Sequence, residues 1–299
     1  MKDGPRYHGG VIEVIEFTDP ACSWAWGTEP KLRLLRWRYG DRFVWRLVLG
    51  GLIGDMNKRV ENFDPVRMGP HQSKYWREAY KYTGMSYPVK LEWMLWSTEP
   101  AGRAVKAAEM QSDEAGARVL RRMRESIFIY GRPADSTERI LEAVRGIDGL
   151  DEQRFAEDFA GESSEKAFRE DWEETRRPNE YVINLRGDRP GIGNVKESEG
   201  HKRFAFPTVI FRGSDGEATV PGWCEFAEYE RAMETALSGS TAAPRPDPTP
   251  EEYFGTWPTA TQKELDMLCE GDAPDAAATY DWGEGTFYLT GAEAKARGI

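Results

Sequence analysis

The order of the strands and helices that the sequence predicts is the feature that most constrains the fold. Apolar and β-branched residues mark strands at 11–17 (VIEVIEF), 43–49 and 204–212, and after the turn GSDG a short return strand follows at 217–220. Almost everything at 57–184 has a helical pattern. A strand-helix-strand unit and a hairpin unit are therefore separated by a helical block. We expect parallel strands in the first unit and an antiparallel edge in the second.

Helical periodicity begins directly after the first strand. Residues 23–39 have a helical pattern that ends before Gly40, and Pro30 inside it is expected to kink or divide the helix. The hairpin is followed by a further predicted helix at about 225–237. Within the helical block the predicted helices lie near 64–83, 99–112, 113–130, 136–147 and 163–176.

Three motifs fall at defined places in this order. The first strand meets its helix at DPACSWAWG (19–27), FPT (206–208) lies at the later hairpin, and STEPA (97–101) precedes an alanine-rich helix. In these motifs the chain resembles the DsbA family of thioredoxin-fold proteins, especially its FrnE-like cytoplasmic branch. The resemblance covers residues 11–237 by order of elements. It implies an α/β, thioredoxin-like fold with a large all-helical insertion and a small C-terminal appendage.

From this resemblance, two units are expected within residues 8–238. Residues 8–56 and 185–238 are expected to form the thioredoxin-like domain, and residues 57–184 the helical insertion domain.

The remaining residues are expected to form a linker and the C-terminal appendage. Residues 239–250 are rich in proline, threonine and alanine, which is typical of a linker. The appendage, 251–299, is expected to hold a helix near 262–269 and a hairpin near 282–285. Since these elements make a thin core, we expect the appendage to pack on the main body.

One departure from the family pattern bears on the chemistry. Similar proteins carry D-P-x-C-P-W-C-W-G at this junction, whereas this chain has Ser23 in place of the proline and Ala25 in place of the second cysteine. Cys22 therefore cannot close a C-x-x-C disulfide. A mixed disulfide on Cys22 would have no neighbour three residues on to resolve it, so the family's dithiol cycle cannot be carried over intact.

Cys22 is the candidate reactive group. The unpaired N–H groups and the positive end of a helix stabilise a thiolate and lower a thiol pKa, so we expect Cys22 to be deprotonated and accessible. The alternative is an inherited, inert cysteine. The Ser23 hydroxyl and the backbone beside Pro207 are expected to stabilise the reacting group.

The resemblance also supplies the residues that would bind a substrate. It implies that Pro207 is a cis-proline that brings Phe206 beside Cys22 and offers edge hydrogen bonds to an extended ligand, with a trans proline as the alternative. Trp24 and Trp26 are candidates for the walls of an apolar pocket, although Trp26 equally suits the core. The predicted substrate-binding residues are Trp24, Ala25, Trp26, Phe206 and Thr208.

The other residues with reactive side chains show no arrangement typical of a metal or nucleotide site. Residues 187–193 (GDRPGIG) follow no strand of a βαβ unit and are interpreted as a loop. No metal is expected, since metal-ligand spacing is lacking around His8, His71, His201, Cys224 and Cys269.

Charge and composition limit the partners and the compartment. A net charge of −11 disfavours binding to a phosphate backbone, so we expect no nucleic-acid partner. No run of residues approaches the roughly 20 apolar positions of a membrane-spanning helix, so we expect no membrane partner. The three cysteines lie far apart, which is typical of a reducing compartment, and a cytoplasmic location is expected.

These observations favour a thiol oxidoreductase that works with one cysteine. Cys22 would react with a thiol-bearing substrate or a low-molecular-weight thiol similar to glutathione, mycothiol or bacillithiol, and an external thiol would resolve the mixed disulfide. Two alternatives stay open. One is a glutathione-dependent isomerase, which the resemblance also includes, and the other is a redox-inactive adaptor that binds a protein partner.

Overall fold

The computed structural model describes most of the chain, and the described residues are 11–198, 200–237, 243–270, 278–281 and 285–299. The expectations for His8, for linker residues 239–242 and for the hairpin turn at 282–284 lie outside these residues.

The central sheet has the strand order β2-β1-β5-β6. Strands β1 and β2 are parallel, whereas β5 pairs antiparallel with both β1 and β6, which confirms the expected pairing. Every residue of β1 is buried, because helices cover both faces of the sheet. The described strands are β1 (Ile12–Thr18), β2 (Phe43–Leu49), β3 (Lys196–Ser198), β4 (His201–Arg203), β5 (Thr208–Arg212), β6 (Glu217–Pro221), β7 (Thr259–Thr261), β8 (Ala278–Asp281) and β9 (Thr286–Leu289).

The helices begin where local side chains can cap them. Asp64, Ser112 and Asp151 each accept a hydrogen bond from a backbone N–H in the first turn of the following helix. The described helices are α1 (Ser23–Trp26), α2 (Glu29–Tyr39), α3 (Met56–Arg59), α4 (Pro65–Thr83), α5 (Glu99–Glu109), α6 (Asp113–Phe128), α7 (Thr137–Ala143), α8 (Glu152–Ala160), α9 (Glu162–Thr175), α10 (Glu180–Asn184), α11 (Phe226–Ala236), α12 (Pro250–Thr256), α13 (Gln262–Leu268) and α14 (Gly291–Arg297). In the described ranges, no helix is long and apolar enough to cross a bilayer.

Several predicted elements differ from the structure in their bounds, and two of the differences bear on the Cys22 site. The helical pattern at 23–39 forms two helices, α1 and α2. The helix is interrupted at Gly27 and Thr28, and Pro30 lies in the first turn of α2. The strand predicted at 204–212 begins only at Thr208. Residues before it leave the sheet, since the N–H of Phe204 donates to the carbonyl of Thr175 instead.

The helical insertion packs on one edge of the sheet. Buried residues of α5, α6, α8 and α9 form a common core with Leu47 and Leu49 of β2. Asp171 of α9 accepts a hydrogen bond from the N–H of Leu49 at 2.9 Å and forms an ion pair with Lys106 of α5. The insertion is therefore joined to the sheet by apolar packing and by buried polar contacts.

The C-terminal segment packs on α2 and α6. Arg33 of α2 donates to the carbonyl of Thr259 at 2.8 Å, and Arg121 of α6 forms two hydrogen bonds with Glu264 at 2.7 and 2.9 Å. Arg297 of α14 pairs with Glu125 of α6 at 2.6 Å. These buried ion pairs fix the segment on the main body.

Candidate functional site

The Cys22 site lies at the end of β1, where the chain turns into α1. Asp19 accepts a hydrogen bond from the N–H of Ala21 at 2.9 Å, and the N–H of Cys22 donates to the carbonyl of Asp19. This Asp-Pro turn places Cys22 at the N-cap of α1, as the motif predicts.

The thiol of Cys22 faces the hairpin that follows the insertion. It donates a hydrogen bond to the carbonyl of Phe206, with sulfur and oxygen 3.2 Å apart. The Phe206–Pro207 peptide bond is cis. Since Phe17 at the end of β1 pairs with Thr208, the strand register brings Pro207 next to the Cys22 turn.

The environment of Cys22 favours the neutral thiol. Its exposed fraction is 5%, and it packs in one apolar cluster with Phe17, Phe204 and Phe206. Burial raises the pKa of the Cys22 thiol to about 11, although the N–H of Ala25 acts in the opposite direction.

The expectation of an accessible thiolate is therefore wrong. The helix that begins at Cys22 has only four residues instead of the expected seventeen, so few peptide dipoles add at its start. Desolvation of the buried sulfur outweighs that small effect.

Two charged residues at the site escaped the sequence analysis. Asp19 is buried and accepts hydrogen bonds from the N–H of Leu52 at 2.7 Å and from the Thr98 hydroxyl at 3.1 Å. Burial raises the pKa of Asp19, and its charge raises the pKa of Cys22 in turn. Arg203 lies over the ring of Phe206 and its charge lowers the pKa of Cys22. Asp19 could have been found from its place in the motif, whereas nothing local in the sequence distinguishes Arg203.

Three aromatic side chains, which we call the aromatic rim, meet at Trp24, and Trp24 packs against the apolar cluster that contains Cys22. Trp24 is half-buried, and its ring centroid lies 5.9 Å from that of Tyr82 and 6.5 Å from that of Trp223. Tyr82 belongs to the insertion and is 51% exposed. Gly191 lies in the loop predicted at 187–193 and packs against Trp24. Its backbone has a φ of +69°. The sequence predicted Trp24, but Tyr82 and Trp223 reach the site only through the fold.

The other predicted site residues are buried. Trp26 is buried and donates its indole N–H to the carbonyl of Ser86 at 2.9 Å, so it belongs to the core and not to the site. Ala25 is 1% exposed, and Thr208 is buried and donates to the carbonyl of Ala205. Ser23 is also buried. Cys22, Phe206 and Pro207 come together, and Ala25 packs in the same apolar cluster as Cys22 and Phe206.

One family of known proteins matches more than half of this chain. Residues 16–179 match the family described as thioredoxin. The chain belongs to this thioredoxin family. A similar protein is the ClpXP adapter protein SpxH of Bacillus licheniformis, which is 30% identical over 278 residues, with 91% of this chain and 78% of the relative covered.

Solved structures show the same fold at low identity. A putative protein disulfide isomerase from Nitrosomonas europaea aligns with a TM-score of 0.56 and 15% identity, over 77% of this chain and all of that one. The cytosolic disulfide reductase DsbM from Pseudomonas aeruginosa, in a structure with GSH, aligns with a TM-score of 0.50 and 20% identity, over 76% of this chain and 95% of that one. This chain thus has a thioredoxin-like fold with Cys22 at the junction between β1 and α1.

Proposed function

We propose that this DsbA-like chain is an adaptor that binds an extended segment of a protein partner beside Pro207 and does not turn over a disulfide. The observation that carries the proposal is the environment of Cys22, which is buried and donates a hydrogen bond to the carbonyl of Phe206, so that the pKa of its thiol is raised. With Ala25 three residues on, the site lacks the second thiol of a redox cycle. The adapter name of the Bacillus licheniformis relative supports a protein partner.

The backbone and the aromatic rim favour an extended, partly apolar ligand. Among the described residues, no hydrogen bond satisfies the N–H of Phe206, so this group can donate to a ligand carbonyl. Edge pairing of that kind is a recurring way in which proteins bind extended peptides. The exposed ring of Tyr82 beside Trp24 can receive an apolar side chain of the ligand.

A second candidate function uses Cys22 as a single reactive thiol. It is favoured by the N–H groups of Ala25 and Trp24 and by the charge of Arg203, all of which lower the thiol pKa against the effect of burial. A thiolate would attack the disulfide of an oxidised low-molecular-weight thiol similar to glutathione, mycothiol or bacillithiol. One thiolate would leave, and a second thiol would later release Cys22. A glutathione-dependent isomerase would use the same site without net oxidation.

The adaptor proposal is tested with peptides selected from a displayed random library on the full chain. We expect selected peptides to lose at least about tenfold in affinity for Y82A, as is usual for the loss of a central aromatic contact. The matched control is Y75A, which removes another exposed tyrosine of the same helix, α4. The C22A variant should still bind the peptides. Equal binding by Y82A and Y75A would contradict the proposal.

Mass spectrometry separates the two candidate functions. The chain is incubated with oxidised glutathione at pH 7, and C22A provides the control for the two other cysteines. For an adaptor with a thiol pKa of about 11, we expect no mixed disulfide at Cys22. Rapid and complete glutathionylation of Cys22 would favour the single-thiol enzyme and exclude the neutral, unreactive thiol on which the adaptor proposal rests.

A further inference from the structure

A second concave site lies away from Cys22, between the sheet, α6 and the C-terminal segment. This cleft has a volume of about 1240 Å³, and Cys22 and Pro207 do not line it. Its lining includes the aromatic side chains of Trp37, Trp45 and Trp257. The volume is ample for a small organic molecule, and aromatic walls are typical of such sites.

A network of buried ion pairs forms the floor of the cleft. Glu29 lies within 4 Å of Arg33, Arg121 and Arg124, and Glu16 pairs with Arg124 at 3.4 Å. Each carboxylate in the network has at least one guanidinium partner. The paired residues are Glu16, Glu29, Glu125, Glu264 and Glu293 with Arg33, Arg121, Arg122, Arg124 and Arg297.

Arg36 lines the same cleft but is not part of these ion pairs. Its guanidinium stacks on the ring of Trp45, 3.7 Å from the ring centroid. In the part of the chain that the structure describes, Arg36 forms no hydrogen bond or ion pair. Arg36 thus adds a positive charge beside a network whose acids and bases are all paired.

The additional charge is unfavourable in this setting. Burial lowers the pKa of Arg36 to about 10. The charges of Glu16 and Glu29 oppose this effect, whereas those of Arg33 and Arg124 add to it. A guanidinium nevertheless stays protonated at neutral pH, with its planar fork of N–H donors open to a ligand. Bidentate hydrogen bonds to a carboxylate or a phosphate are the favoured partners of such a fork.

We propose that the cleft binds a small organic anion, whose carboxylate or phosphate group is held by Arg36 and whose apolar body lies against the aromatic lining. The stacking of Arg36 on Trp45 fixes the guanidinium plane before the ligand arrives. Binding there neutralises a cation that has no ion pair among the described residues. This inference is independent of the proposed adaptor function, since it uses none of the Cys22 site residues.

Calorimetric titration of the full chain tests the inference with three probes of similar size. Phenyl phosphate and benzoate carry the two anionic groups, and benzyl alcohol is the neutral counterpart. We expect one or both anions to bind and the alcohol to bind at least about tenfold more weakly, as is usual for the loss of a charge-assisted hydrogen bond. The anion that binds identifies the class of ligand.

Substitution of Arg36 provides the second part of this binding test. We expect R36M to weaken binding of the anion by about tenfold or more and to leave benzyl alcohol unaffected. The matched control is R177M, which removes the same charge from an exposed position that does not line the cleft. Failure of both anions to bind the wild type would overturn the inference, as would equal affinities for R36M and R177M.

Discussion

The Cys22 thiol donates a hydrogen bond to the carbonyl oxygen of Phe206, 3.2 Å away, across the two halves of the thioredoxin-like domain. These residues are 184 positions apart in the chain. The contact uses the thiol proton, so it stabilises the protonated form and would be lost on ionisation. A neutral thiol of this kind is suited to structure and to ligand contact more than to nucleophilic attack.

The stability of the chain should fall in alkaline solution because of Cys22. Its thiol pKa rises from 9.0 to about 11 on folding, so between these values the folded state holds a proton that the unfolded state releases. The stabilisation is complete below pH 9 and is lost as the pH rises through 11, by about 2–3 kcal/mol in total. Urea unfolding at several pH values would measure it. In C22A this part of the pH dependence should be missing, and identical curves for both chains would contradict the raised pKa.

Restoring the second cysteine should create a redox site. In A25C the new side chain stands three residues after Cys22, within the single turn of α1, at the spacing of the family's C-x-x-C motif. We expect oxidised glutathione to convert A25C to an internal disulfide while it is itself reduced to two glutathione thiols, seen as a loss of two hydrogen atoms in the mass of the intact chain. The A25S variant controls for a polar side chain at this buried position. A mixed disulfide that persists on A25C would show that the two sulfurs cannot meet.

Loss of a single buried carboxylate should weaken the junction between the insertion and the C-terminal segment. Glu264 is fully buried and pairs with Arg33 and Arg121. Removing its charge leaves buried guanidinium groups without compensation, so we expect E264Q to lower the free energy of unfolding by about 3–5 kcal/mol.

Urea unfolding would measure this loss. The matched control is E114Q, which breaks an exposed pair with Arg118 and should change the free energy by less than about 1 kcal/mol. A similar small effect for E264Q would mean that the network does not hold the segment in place.

Gly191 should be needed for the aromatic rim. A Cβ at this position would lie 2.7 Å from the ring of Trp24, and the φ of +69° is unfavourable for residues other than glycine. We expect G191A to destabilise the chain by about 1–3 kcal/mol and to weaken binding of the selected peptides, because Trp24 must move. Thermal unfolding and peptide titration would measure both. The control G216A adds a Cβ in open space and should leave both unchanged.

Much of the fold follows from local patterns in the sequence. The β-branched residues of β1 and β2 and the cap residues Asp64 and Ser112 are signals that lie within a few positions of the structure they produce. The Asp-Pro turn likewise fixed Cys22 at the start of α1. These elements could be predicted because backbone propensity and capping act over one or two turns.

Tertiary structure alone decided the chemistry of the site. The sequence placed Cys22 at a helix start, but its pKa depends on burial among Phe17, Phe204 and Phe206, which no local pattern reveals. Tyr82 reaches Trp24 only through the packing of the insertion, and Arg36 is left unpaired only because its neighbours' carboxylates are taken by distant arginines. Desolvation and ion pairing depend on which distant segments meet, so they are properties of the folded chain and not of its local sequence.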